Sequence, residues 1–312
     1  MIHLFLKRLG QAAFVCWSVG TLGFALMRLL PGDMAFRIAA GRYGYDQVNL
    51  AAAEAVRAEL GLDRPAWRLY LEWLFDLLRL DLGDSLVSGL PVLGEILHLL
   101  GHTLLLAGAA MLIAILIAVP VGLFAAFRAE GWFDRAALVA SAFLRAQPVF
   151  VIGLLLLLIF ALELRLFPVA GFDGARYLVL PAIALALSMA AVSNRVVRHS
   201  AGAVIASAFF AFARVKGLSF AQAFVRHGLR NGALPVLAFL GIQLAGAIEG
   251  IVMIESLFSW PGLGHGLAHA VFNRDVPMIQ GAAMTLGLIF VGLNLAVDLA
   301  CHLVDPRGRS DE

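Results

Sequence analysis

Charge is scarce in this 312-residue chain: Asp, Glu, Lys and Arg together make up 14%, against about 25% in a typical soluble domain. Apolar residues fill the gap at 62%, and mean hydropathy is +0.91. Such a composition has too little polar surface to coat a soluble globule and too much apolar surface to stay unfolded. It excludes a soluble enzyme and a disordered protein. Lysine is nearly absent, with only Lys7 and Lys216. A phosphate-cradling G-x-x-x-x-G-K-[ST] loop needs a Lys followed by Ser or Thr, whereas Lys7 precedes Arg8 and Lys216 precedes Gly217. The chain therefore holds no such nucleotide site, and if ATP drives it, another subunit binds the ATP. The two cysteines, Cys16 and Cys301, fall in apolar runs near opposite ends and read as small core residues rather than a disulfide. No H-E-x-x-H stretch is present, and Ser18, Ser141, Ser188 and Ser193 in the apolar runs have no evident His partner, which argues against intramembrane hydrolysis. A net charge of +2 gives no reason to expect nucleic acid as a partner.

What the chain has in abundance is long apolar runs. A helix needs about 20 mainly apolar residues to cross a bilayer, where no water satisfies an exposed backbone. Six stretches qualify: 9–27, 96–127, one within 136–162, 177–194, 231–248 with 250–254 beyond Glu249, and 276–297. The first carries no charge over 19 residues. That is longer than the ~7–15 of a secretory signal core, so it reads as an uncleaved span.

An even number of spans puts both termini on one side, and the cations in short loops choose the side. Lys7, Arg8, Arg128, Arg135, Arg195, Arg198, Arg214, Lys216, Arg226, Arg230, Arg307 and Arg309 fall together, against Arg165, Arg176 and Arg274 opposite. Both termini are expected in the cytoplasm. The segment 28–95 is then outside, its own arginines discounted because long loops translocate regardless of charge. It is no linker. Helical patterns at 50–60 and at 66–78, the second carrying Trp67, Tyr70, Trp73 and Phe75, predict a helical cap at headgroup level on the outer face.

The longest cytoplasmic stretch lies between the fourth and fifth spans. From 200 to 212 it is mostly small and aromatic, then reads Ala213-Arg214-Val215-Lys216-Gly217-Leu218, and later His227-Gly228-Leu229-Arg230-Asn231-Gly232-Ala233-Leu234-Pro235. A short helix with an apolar face, stopped by Gly217 and flanked by cations, has the shape to lie in a groove of a partner. The same cations would also serve a loop that merely sets topology.

These two runs resemble the coupling loop of binding-protein-dependent ABC importer permeases, in the branch that moves peptides, nickel and opine-type metal chelates. The resemblance extends along the chain through Met27-Arg28-Leu29-Leu30-Pro31-Gly32-Asp33, Leu60-Gly61-Leu62-Asp63-Arg64-Pro65, Asp81-Leu82-Gly83-Asp84-Ser85, Ile254 to Gly264, Asn273-Arg274-Asp275 and Asp305-Pro306-Arg307. It implies an all-α permease of six transmembrane helices in a bacterial inner membrane. It also implies the partners: a second permease subunit, two ATP-binding subunits that hold ATP and Mg, and an extracytoplasmic solute-binding protein. Coupling to the ATPase would fall to Ala213, Arg214, Lys216, Gly217, Leu218, His227, Arg230 and Asn231. The broader coupling motif begins E-A-A six residues before its glycine. Here Ala211-Phe212-Ala213 stand there, so the acidic group is missing while the shape remains.

Charges inside spans are costly and are functional candidates by default. Arg145, just before a Pro148 expected to kink the third span, either lines the pathway or reaches the interface. Glu249 and Glu255 are candidate gate residues or partners for Arg274, which with Asp275 joins the pathway set. Glu95, His98 and His102 share a helical face, and His265 and His269 form an i, i+4 pair. Imidazole and carboxylate suit Ni, Zn, Cu or Co, so these five are metal candidates, with ordinary packing as the alternative. The expected organisation is 1–30 as N-terminus and first span, 31–95 as extracytoplasmic helical segment, 96–304 as core permease with its coupling loop at 195–234, and 305–312 as cytoplasmic tail. Asn273-Arg274-Asp275 and the compact length lean toward a nickel or metal-chelate importer over a di- or oligopeptide importer. The competing class is an ion-gradient-driven secondary transporter or channel.

Overall fold

The structure, a computed structural model, describes residues 2–44 and 46–304, and their side chains except those of residues 2–4, 249 and 300–304. Among the described residues regular structure is helical, apart from one isolated bridge between Asp84 and Pro91. In chain order the helices are α1 (Ile2–Leu29), α2 (Met34–Tyr43), α3 (Leu50–Leu60), α4 (Ala66–Leu78), α5 (Val92–Phe127), α6 (Trp132–Ala146), α7 (Val149–Leu156), α8 (Arg176–Ile205), α9 (Ala208–Val215), α10 (Phe220–Ala223), α11 (Leu229–Leu257), α12 (Leu263–Asn273) and α13 (Val276–Val304). π-Helical turns extend α7 over Leu157–Glu163 and join α10 to α11 over Phe224–Gly228. Five helices are long and apolar enough to cross a membrane, or six if the pair α6 and α7 counts as one bent span.

That pair departs from the expected third span. The two helices meet at 101°, a break rather than a kink. Pro148 has no N–H to give and pushes the preceding residue out of the helical region, and Gln147 accordingly sits extended at φ −89°, ψ 134°.

The chain divides into two compact units, Met1–Leu104 with Pro261–Val291 and Leu105–Trp260 with Gly292–Glu312. In the first, α3 and α4 have the bounds the sequence pattern predicts, and α2 is an addition. Asp33 and Asn49 cap α2 and α3 by accepting from the N–H of Ala35 and Ala52, and Gly61 ends α3 at φ 56°. Ile38, Ala39 and Val56 are buried between α2 and α3, so the segment has a small core of its own. The aromatics of α4 divide: Tyr70 receives a hydrogen bond from Trp17 Nε1 and pairs with Thr21 of α1, while Trp67 and Phe75 are exposed. Val92, Ile96, Leu263, Met278 and Ile279 form the unit's other core, and Gln280 donates from inside it to the Gly20 carbonyl at 2.9 Å.

In the second unit α8 is the central helix, packed on α6, α7 and α11. Leu180, Leu185, Ile251, Ile254, Phe258 and Trp260 make its main core. α5 meets α8 at Gly122, where an added Cβ would fall 2.5 Å from the Asn194 carbonyl oxygen. Two polar ties cross the same packing. Asn194 Nδ2 donates to Ser141 Oγ at 3.0 Å, and Ser200 Oγ donates to the Gly232 carbonyl at 2.8 Å.

Candidate coupling surface

The stretch expected as a cytoplasmic loop, 195–234, is mostly helix. α8 runs on to Ile205, a two-residue joint follows, and the Ser207 side chain caps α9. α9 ends as its sequence demands. Gly217 takes φ +90°, its N–H bonds to the Arg214 carbonyl, and the N–H of Leu218 reaches back to the Ala213 carbonyl, a closure that favours a residue without Cβ. Arg214 then donates to the Leu218 carbonyl at 2.9 Å. Ser219 opens α10 with a reciprocal capping box to Gln222.

One face of this assembly is anchored. Phe210, Ala213, Ala223 and Phe224 are buried against Ala126 of α5 and Ala201 and Val204 of α8. Phe127 meets Phe220 and Phe224 edge to face at 5.2 and 5.1 Å. Each buried Phe contributes about 2 kcal/mol by area alone. The opposite face is bare: Phe212 is 60% exposed and Val215 84%, with Lys216 Nζ 4.6 Å from the centre of the Phe212 ring. Arg214 and Gly217 are exposed as well, and Leu218 is half-buried. His227 lies in the π turn and Arg230 and Asn231 open α11, all exposed, with Asn231 donating to the His227 carbonyl at 2.8 Å. Of the eight coupling candidates, Ala213 is buried in the core and Leu218 packs against it half-buried, while the other six are exposed.

Two cationic residues first read as loop charges do structural work on α8. Arg195 and Arg198 bracket the buried Asp134 of α6 at 3.1 and 2.7 Å. Nothing in the sequence pairs positions 61 and 64 apart, so this triad was not legible. Next to it a cavity of about 570 Å³ opens between α8, Phe209 and the start of α11, lined mainly by apolar groups with Arg195, His199 and Asn231.

The remaining candidates scatter. Arg145 and Pro148 are exposed at the α6–α7 break, and Glu255 is fully buried in the second unit. Arg274 and Asp275, candidates for the pathway, are buried in the first unit as ties. Arg274 donates to the Pro31 and Gly32 carbonyls, and Asp275 accepts from Ser85 Oγ and the N–H of Leu86. The side chains of Glu249 and Cys301, and residues Arg309 and Asp305-Pro306-Arg307 as a whole, lie outside what the structure describes.

His98 and His102 meet edge to face at 5.1 Å between ring centres, and His265 and His269 at 4.5 Å. Glu95 instead accepts from Ser88 Oγ at 2.6 Å. Among the described residues no three His, Cys, Asp or Glu gather to hold a metal ion, so the five metal candidates do not form a shared site. Burial, and then its neighbour His269, lower the pKa of His265 below the usual 6.5. Its neutral form therefore predominates near neutrality, and folding loses that favourable balance as pH falls below about 6.5.

With five or six helices long and apolar enough to cross a membrane, the chain is of the multi-pass membrane class. The profile of the binding-protein-dependent transport system inner membrane component matches residues 118–310. Along its whole length the chain is similar to the glutathione transport system permease protein of Pectobacterium atrosepticum, 35% identical over 99% of each chain. It is likewise similar to a probable peptide ABC transporter permease protein of Sinorhizobium fredii, 36% identical over 97% of this chain and 98% of that one. In fold it resembles an amino acid ABC transporter solved with histidines, at TM-score 0.52 and 18% identity, over 69% of this chain and 94% of the other. The chain belongs to the family of binding-protein-dependent transport system inner membrane components. It is a multi-pass transport component, and the relatives it matches are named as permeases.

Proposed function

We propose that this chain is the permease subunit of an ATP-driven importer of peptides or peptide-like solutes such as glutathione. In this reading it pairs with a second permease subunit, takes its solute from an extracytoplasmic binding protein, and is moved by two ATP-hydrolysing subunits. It lies in a bacterial inner membrane with both termini in the cytoplasm, a placement supported by the cations Arg195, Arg198, Arg214, Lys216, Arg226 and Arg230 that run in sequence from the end of α8 to the start of α11. The peptide reading rests on relatives named for glutathione and peptide transport. The leaning toward nickel or a metal chelate has no support from them and is set aside.

The observation that carries the reading is the two-faced α9. Its exposed Phe212 and Val215, ending at Gly217, present an apolar helix face to a groove on an ATPase subunit. Its buried face is packed into α5 and α8. A displacement of α9 therefore passes to the central helix instead of being lost in a loose connector.

Gly217→Pro in the assembled transporter tests this. Proline cannot adopt φ +90° and removes the N–H that closes α9, at a local cost of about 3 kcal/mol. Vesicle uptake is expected to fall at least tenfold while the chain still inserts and co-purifies with its second permease. Wild-type uptake by that variant would refute the coupling role.

A further inference from the structure

We propose that the first unit carries a phosphate site that holds a membrane phospholipid headgroup, in the cavity of about 470 Å³ at the C-terminal end of α1. Three guanidinium groups line it, from Arg28, Arg57 and Arg274, against one carboxylate, that of Asp33. Arg57 pairs with Asp33 at 2.7 Å and with Asp63, which does not line the cavity, at 3.6 Å. Arg274 is buried, and its hydrogen bonds go to the neutral carbonyls of Pro31 and Gly32, which hold the group in place without cancelling its charge. The Arg28 guanidinium lies 4.9 Å from the centre of the Phe24 ring. Among the described residues neither Arg28 nor Arg274 has a carboxylate within ion-pair distance. The cavity therefore holds an excess of fixed positive charge and hydrogen-bond donors, the chemistry that recognises phosphate.

Two sources could present that phosphate, a lipid headgroup or the free ion, and the position of the cavity favours the lipid. The apolar helix Phe5–Leu29 is long enough to cross a bilayer, which puts Arg28 at the depth of the headgroups. Leu26, Leu29 and Leu30 beside it are exposed. Exposed leucines flanking a cationic cavity match a molecule with acyl chains next to its phosphate, and offer nothing to a free ion.

The test is native mass spectrometry of the full-length chain in detergent, titrated with dioctanoyl phosphatidylglycerol and, separately, with inorganic phosphate. Arg28 is exposed, so Arg28→Gln is compatible with folding, which an unchanged thermal midpoint would verify. We expect it to weaken lipid binding about tenfold, the loss of one charge-assisted contact. Arg28→Lys should recover much of that loss. Asp33→Asn keeps the helix cap but removes the carboxylate that lines the cavity, and is expected to tighten binding. Equal lipid affinity in wild type and Arg28→Gln would overturn the site. Binding of inorganic phosphate with no saturable binding of the lipid would overturn its assignment to a lipid.

Discussion

Asp134 shows how far one side chain reaches. It is almost fully buried and bridges two guanidinium groups that are themselves only about a quarter exposed, at 27% each. Asp134→Asn would leave both charges at the α6–α8 seam with a weak neutral acceptor. Removing one partner of a buried pair costs about 3–5 kcal/mol, and partial exposure of the arginines places this case near the lower value. The purified chain should lose several degrees of thermal midpoint in detergent, with partial recovery in Asp134→Glu. An unchanged midpoint would mean that solvent already screens the triad. The pattern that located Gly217 in advance was local: a basic helix end followed by glycine. Asp134 had no local pattern, because its partners lie more than a helix away in sequence.

At the scale of elements, helices pack where their surfaces let backbones approach. Gly122 marks such a crossing. A Cβ there meets the Asn194 carbonyl oxygen at 2.5 Å and the Val197 side chain at 2.6 Å, and a backbone oxygen cannot rotate aside. Gly101 and Gly108 on the same helix have nothing within 4 Å of a Cβ. Gly122→Ala is expected to destabilise by about 1–3 kcal/mol through overpacking. Gly108→Ala should be neutral or slightly stabilising, because alanine forms helix better than glycine. Thermal unfolding of the two variants side by side checks this, and equal midpoints would refute the close-packed crossing. Hydropathy and Pro148 together announced a disturbed third span, but the 101° angle depends on how α6 and α7 each pack on α8, which no local signal encodes.

At the scale of the whole molecule, the proposal is a permease moved by ATP-hydrolysing partners. Its sequence holds no phosphate-cradling lysine loop, and α9 leaves Phe212 and Val215 exposed. Proteoliposomes containing this chain alone should show no solute uptake above background under an ion gradient or with ATP. Uptake should appear only after the second permease and the ATP-hydrolysing subunits are added. Accumulation by the lone chain would restore the ion-driven alternative and remove the proposed role of α9.

Hydropathy alone settled the membrane class and the position of most spans, because a helix in hydrocarbon must be long and apolar whatever surrounds it. Short-range chemistry likewise settled the bounds of α3 and α4 and the stop at Gly217, since caps and turns depend on neighbours within a few residues. Only tertiary structure decided which charges are free. It gave Arg195 and Arg198 to Asp134, used Arg274 and Asp275 to tie the first unit together, and, among the described residues, gathered no three metal-ligating side chains around the histidine pairs. The reason is range: a side chain's partner is set by where distant segments meet in space, and two charges far apart in the chain leave no trace of that meeting in either local sequence.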